Sequence, residues 1–314
     1  MAKEFLEEGV SVNAARQLTN TTKTTAQFES LTPKWLTRLI DWKALDSALY
    51  RVNKVKEDSS LLEALCNEKD PEAPIPQGFI DYETKPRLYE LKSVSTILQV
   101  KTAIADLYSD PYDQTDEQIR LTVESLKERQ ESELINNDDY GLLKNIHDSQ
   151  RIQTRDGAPT PDDLDELISK VWKEPSFFLA HPRAIAAFGR ECTRRGVPPP
   201  TISLYGTQFL TWRGIPLVPT NKLFVDGLKE PKGKAGKTNI LLIRTGEKKQ
   251  GVVGLYQNDV PNQHSRGLSV RFMGVNERAI ASYLLSIYCS AAILSKDAIA
   301  VLEDVDVGNY YEYR

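Results

Sequence analysis

The sequence predicts an α+β protein preceded by a long extension that cannot fold alone. Three observations carry this reading. Residues 1 to about 31 are too polar to form a core, the middle of the chain holds blocks with helical periodicity, and the C-terminal half is a run of short apolar stretches bounded by turn residues.

Composition narrows the function classes. The chain has 314 residues, 40% of them hydrophobic and 27% charged, enough for one large or two ordinary domains. A net charge of −4 and a pI near 5.6 argue against a protein whose task is to coat nucleic acid. Cys66, Cys192 and Cys289 are far apart, odd in number and without a C-x-x-C pair. That suits thiols used as small apolar packing residues in a reducing cytosol. The start "MAKEFLEEGVSVNAARQ" places acidic residues where a secretory signal needs a basic region, and no window has the length of a membrane span. A cytoplasmic location is expected.

The extension is rich in Thr, Asn and Gln ("NAARQLTNTTKTTAQFES"), with too little apolar surface to offset the entropy of ordering. It runs into "TPKWLTRLIDW", where Thr32 is positioned as a helix cap and Pro33 as the first helical residue. Trp35, Leu36, Leu39 and Ile40 then form an apolar stripe at helical spacing. So greasy a short helix implies that the extension is an arm anchored to a surface.

Residues 49 to 101 predict a long hairpin. "LYRVNKVK" leads in and "KSVSTILQVKT" leads out, with Val94, Thr96, Leu98 and Val100 alternating against Ser93, Ser95, Ile97 and Gln99. Between them lies an acidic stretch broken by Pro71, Pro74, Pro76 and Gly78. An isolated two-stranded hairpin is marginal in water, so this excursion needs a partner.

Next, "TDEQIRLTVESLKERQESELINN" predicts a helix with a Thr115–Gln118 capping box and Asp116 and Glu117 in its first turn. Its apolar stripe (Ile119, Val123, Leu126, Leu134) is narrow, which predicts a mostly exposed helix. In "TPDDLDELISKVW", Thr160 caps, Pro161 starts, and Leu164, Leu167, Ile168, Val171 and Trp172 recur as a buried face. A further helix from Arg183 to Arg195 stops at Gly196. Strands follow at "TISL", "IPLVP", "NILLIR", "GVVGLYQ" and "LSVRFMGV". The alternation of Tyr283, Leu285, Ile287 and Cys289 with Ser282, Leu284, Ser286 and Ser290 makes "AIASYLLSIYCSAAIL" a strand, expected to pair with "DAIAVLEDV".

One motif tempts. "KGKAGKTNILLIR" contains Gly236-Lys237-Thr238, the end of a phosphate-binding loop. That loop needs a glycine where Pro231 stands, and it must follow a strand and open a helix. Here it precedes a strand, so a mobile surface loop is expected and no nucleotide site. His147, His181 and His264 stand alone, with no metal-ligand spacing. His181, ahead of Pro182, suits a local structural role, and Asp162–Asp163 suits helix capping. There is no G-x-S-x-G, and Cys192 lies in a helix without a base. No catalytic, metal or cofactor-binding constellation is found, and no enzyme is expected.

The order of arm, long hairpin, spine helix and mixed domain closing in strands resembles the tailed-phage major capsid protein of the Hong Kong 97 type. In its wording the chain resembles the encapsulins, bacterial shell proteins of that fold, and among them the second family in its insertion-free branch. The carrying segments are "ARQLTNTTKT", "TPKWLTRLIDWKALDSALYRVNK", "DDLDELISKVWKEPSFFLAHPRAIAAFGRECTRRGVPPPTISLYGTQFLTWRGIPLVP" and "VLEDVDVGNYYEYR". The resemblance implies an arm over residues 1–44, an E-loop hairpin over 45–102, a peripheral domain from 103–154 and 266–314, and an axial domain over 155–265. Trp35, Leu36, Leu39 and Ile40 become assembly-arm residues, and Arg194, Arg195, Tyr205, Lys234 and Lys237 become candidates for a five-fold pore loop. It implies an icosahedral homo-oligomer in the cytoplasm, without membrane or nucleic acid. The implied cargo is a cysteine desulfurase carrying pyridoxal phosphate, for sulfur metabolism or storage. A phage capsid packaging DNA is the alternative, disfavoured by mild acidity and the lack of a basic internal run.

Overall fold

A computed structural model of the chain describes residues 32–55, 81–101, 114–226 and 236–310. The polar extension, Cys66, the acidic middle of the hairpin and Lys234 lie outside them. Helix α1 (Trp35–Leu39) leads into β1 (Asp41–Leu45), β2 (Leu49–Val52), β3 (Arg87–Glu90) and β4 (Lys92–Lys101). Helix α2 (Gln114–Asn136) is followed by β5 (Arg151–Gln153), α3 (Pro161–Lys170), β6 (Phe177–Ala180) and α4 (Pro182–Arg194). The rest is strand: β7 (Thr201–Leu204), β8 (Thr207–Trp212), β9 (Ile215–Pro219), β10 (Lys237–Ile243), β11 (Val252–Gln257), β12 (Gln263–Ser265), β13 (Leu268–Val275), β14 (Ile280–Ile293) and β15 (Ile299–Asp306).

Two large sheets organise most of these elements, and β2 and β3 form a separate two-stranded one. A seven-stranded sheet runs β5-β15-β10-β6-β9-β8-β7. Its central strand β6 is apolar at every position, Phe177–Ala180, because both faces are covered. Leu164, Leu167, Phe188 and Cys192 of α3 and α4 pack on one face, over Phe178, Leu217 and Leu242. The other face carries Leu179, Val218 and Leu241 and packs against Trp35, Leu36, Leu134 and Ile135. The same cluster takes in Val252, Ala291 and Ile293 of the second sheet, so one core joins both sheets.

The second, six-stranded sheet is built on β14. β13 lines one edge of it, while β4 pairs with Ile280–Cys289 and β11 with Cys289–Ile293. β1 adds to β11 in parallel, and Trp42 lies opposite Gly254. A Cβ at Gly254 would sit 2.7 Å from the indole, so only glycine allows the ring this close. Helix α2, about 34 Å long, crosses this sheet through Val123, Leu126 and the half-buried Ile119.

Local expectations hold in several places. Thr160 and Asp163 form a reciprocal capping box with Pro161 in the first turn, and α4 ends before Gly196, at φ 72°. His181 caps α4 by accepting from the Arg183 amide, and Cys192 and Cys289 are buried free thiols.

Other expectations are corrected. Thr32 does not cap α1, whose N-cap is Lys34, because Glu128 takes both the amide and the hydroxyl of Thr32. The incoming hairpin strand pairs with Arg87–Glu90, whereas Lys92–Lys101 is a sheet strand paired along ten residues of β14. Strand β14 is a strand as expected, but "DAIAVLEDV" pairs with β10 and β5 in the other sheet. Ile299–Leu302 are buried at every position, which requires a sheet covered on both faces. Trp172 is 68% exposed, because α3 ends at Lys170 and the helical spacing lapses before the indole. Helix α2 is not mostly exposed either: Glu128, Gln130 and Glu131 are buried.

Candidate functional site

The most built-up polar site among the described residues lies where the extension joins the body. Three carboxylates of α2, Glu124, Glu128 and Glu131, are spaced four and three residues apart and so share one helix face. The segment from Thr32 to Ile40 lies across that face. The Thr32 amide donates to Glu128 Oε1 at 2.7 Å, and its hydroxyl donates to Oε2 at 3.1 Å. Lys34 Nζ lies 2.8 Å from Glu124 Oε2 and 3.6 Å from Glu128 Oε1. From the stretch after β9, Lys222 Nζ donates to the Glu128 carboxylate, and the Lys222 carbonyl accepts from Asn136 Nδ2 at 2.8 Å.

Burial sets the protonation of these groups. For Glu128, burial pushes the carboxyl up, but the hydrogen bonds from Lys222 and from the Thr32 amide outweigh it and hold the group below its ordinary value. Glu124 is likewise lowered: Lys34 outweighs its burial. Glu131 goes the other way. Burial, then the charge of Glu128, raise it to about 7, although the amides of Leu36 and Thr37 donate to it.

Above this polar layer, Trp35 meets Phe209 and lies 6.2 Å from the ring of Tyr205, with the Arg38 guanidinium 5.4 Å from its centroid. Leu36 and Ile40 are buried, and Leu39 is half-buried on the same cluster. All four expected arm residues therefore sit in this chain's own core. A cleft of about 570 Å³ opens beside them, lined by Lys34, Arg38, Trp42, Glu124, Lys127 and Arg266 among others.

The candidate pore residues that are described, Arg194, Arg195, Tyr205 and Lys237, each make local contacts. Arg194 ends α4 and donates to Glu191 Oε1 at 2.6 Å, and Arg195 lies 3.5 Å from Asp162. Tyr205 is 70% exposed on the opposite face of the sheet, where with Gly206 it forms the tight β7–β8 turn, at φ 53° and 75°. Lys237 opens β10 and lies 3.2 Å from Asp304 Oδ1. No helix follows Lys237, so the backbone cradle of a phosphate loop is not formed there.

Sequence reasoning missed Glu128, Glu131, Lys34 and Lys222. The available signal was the shared face of the three carboxylates, flanking the apolar stripe of α2. Among the described residues no group of three or more His, Cys, Asp or Glu could hold a metal, and no helix is long and apolar enough to cross a membrane.

Comparison with known proteins places this geometry among relatives. Residues 49–309 match the family model described as type 2A encapsulin shell protein SrpI-like. The type 2A encapsulin shell protein SrpI of Synechococcus elongatus is 58% identical over 301 residues, which cover 96% of this chain and 95% of that protein. The cryo-EM structure of the holo-SrpI encapsulin complex from that organism superposes with a TM-score of 0.82 at 54% identity, covering 98% of this chain and 99% of that one. The capsid of cyanophage P-SCSP1u, at 15% identity, gives a TM-score of 0.53 over 94% of this chain and 97% of its own, which shows a shared capsid fold.

Proposed function

The chain belongs to the type 2A encapsulin shell proteins, and from that premise we propose that its nanocompartment encloses a cysteine desulfurase, for sulfur metabolism or storage in the bacterial cytoplasm. The observation that carries the shell reading is the 58% identity, over nearly the full length of both chains, to a shell protein of this family. The capsid fold supports a closed symmetric particle made of many copies.

The cargo reading has its own support. No catalytic constellation is found in the sequence, so any turnover by the particle belongs to what it encloses. A shell of identical subunits offers many copies of one weak inner site, and multivalency turns modest affinities into stable capture. A disordered cargo segment laid into an apolar groove would suit such a site. The desulfurase would bring pyridoxal phosphate, and the shell would carry no cofactor. Arg194, Arg195, Tyr205, Lys234 and Lys237 are the candidates for a pore that admits small substrates.

The test is co-expression with the desulfurase. The expected result is a yellow, pyridoxal-phosphate-containing enzyme eluting with closed particles, while particles alone show no turnover with cysteine. Separate elution of enzyme and intact shells would sink the cargo reading and leave the compartment. Co-purified DNA would favour a packaging capsid instead.

A further inference from the structure

Strands β2 and β3 form a two-stranded ribbon of their own, continued by a hydrogen bond from the Glu83 amide to the Lys54 carbonyl and by the bridge between Val55 and Tyr82. Short links join it to the body: residues 46–48 after β1, and Leu91 alone before β4. The Leu91 amide donates to the Ala48 carbonyl at 2.9 Å, so the two links meet at one point. Leu49, Val55, Tyr82 and Leu88 are exposed, although a two-stranded ribbon is marginal in water without cover. The facing pair Tyr50 and Tyr89 instead packs toward the body, against Leu45, Val253, Leu255 and Ala292.

Both tyrosines are tied at the hydroxyl. Tyr50 Oη donates to Glu247 Oε1 at 3.0 Å, and Tyr89 Oη donates to the Ile293 carbonyl at 2.7 Å. Each acceptor is itself held in place. Glu247 belongs to the tight loop between β10 and β11, closed by bonds from the Gly251 amide to the Gly246 carbonyl at 2.9 Å and from the Gln250 amide to the Glu247 carbonyl at 3.0 Å. Lys43 of β1 donates to the same carboxylate and stands 5.0 Å from the centroid of the Tyr50 ring. Ile293 ends β14, where it pairs with Val252.

We propose that Tyr50 and Tyr89 are positioning residues for assembly: their hydroxyls fix the angle at which the ribbon leaves the body, and with it the curvature at which copies of the chain join. The exposed face of the ribbon then meets a second copy. Two links that meet at one point make a hinge, and the links alone leave its angle open. The described ribbon is about 20 Å long, so a turn of about 10° at its base shifts its far end by ~3.5 Å. A shift of that size takes the exposed apolar groups out of register with any close-packed partner. The Lys43–Glu247 pair is solvent-exposed, and such pairs contribute little to a subunit's own stability. Its part is direction rather than strength.

The test is the full-length Tyr50→Phe/Tyr89→Phe variant, which keeps both rings and removes both hydroxyls. Cryo-EM of purified assemblies reads the distribution of particle diameters. The ratio of wild-type-sized particles to other assemblies should fall by about fivefold, the factor that one ordinary hydrogen bond is worth. Hydrogen–deuterium exchange on the same assemblies should quicken in residues 82–91 and keep the wild-type rate in β11 and β14. A wild-type diameter distribution overturns the proposal. Faster exchange in β11 and β14 also overturns it, because the tyrosines would then support the fold rather than aim the ribbon. If the double variant does not assemble, Tyr50→Phe and Glu247→Ala decide. Both cut the same tie, so each should shift the diameters, and Tyr50→Phe should add nothing on the Glu247→Ala background. An additive shift, or none from either, overturns the assignment.

Discussion

The indole of Trp35 meets the ring of Phe209 edge-on, with centroids 5.1 Å apart and planes at 82°. The root of the extension is thus packed on β8 of the same chain, a residue pair joining two distant parts of the sequence. Its loss should be felt by the isolated subunit as well as by the particle.

Trp35→Ala should destabilise the subunit by ~3–5 kcal/mol, the usual range for truncating a buried aromatic. Deleting residues 1–31 should instead leave subunit unfolding almost unchanged while weakening shell closure. Denaturant unfolding of dissociated subunits and light scattering of particles separate the two. Equal unfolding midpoints for Trp35→Ala and wild type would contradict the core assignment.

Arg244 and Asp297 supply an acid-sensitive contact. The guanidinium is 1% exposed and donates to Asp297 Oδ1 at 2.9 Å and to Ser295 Oγ at 2.8 Å. Burial pushes Asp297 up, yet the bonds from Arg244 and Ser295 outweigh it and hold the carboxyl far below its usual 3.8. The stability from this pair is present above that value and is lost as pH falls below it. Asp297→Asn leaves the arginine buried and unpaired, which should cost ~3–5 kcal/mol near neutrality. The gap to wild type should shrink in acid, and a gap independent of pH in denaturant titrations would refute the assignment.

Lys237 should be dispensable for any nucleotide chemistry. It begins a strand paired with β15, and the loop motif lacks both its first glycine and its helix. Lys237→Ala particles should assemble normally, and calorimetry with ATP should show no saturable heat for either protein. Saturable binding abolished by the substitution would reverse this conclusion.

Local chemistry was readable in the sequence, and long-range choice of partner was not. The capping box of Thr160 and Asp163 and the stop at Gly196 depend on residues a few positions apart. The strand character of β14 was equally plain from its alternation. Its partner was not, because the alternation of β4 fits any strand of matching face, and the choice of β14 over Leu49–Val52 is made by packing against α2. Glu128 shows the limit most clearly. Its partners Thr32 and Lys222 lie 96 and 94 residues away, and nothing in "SLKERQESEL" marks one carboxylate as buried. Tyr205, a pore candidate by its loop, also lies 6.2 Å from the ring of Trp35, a tertiary contact that its local sequence does not mark.

Strand β1 also gives the extension a mechanical footing. Five residues, Asp41 to Leu45, pair in parallel with Val253 to Gln257, and β11 is in turn bound along β14. Tension applied ahead of Thr32 first meets the Trp35 and Glu128 anchors, then this ladder. Pulled along its axis, the ladder must shear as a unit, whereas a pull across it would part the pairs one at a time. A tether rooted this way passes load into the sheet that ties the subunit's two halves together. Load entering at Thr32 is then carried by the interior of the subunit rather than by its surface.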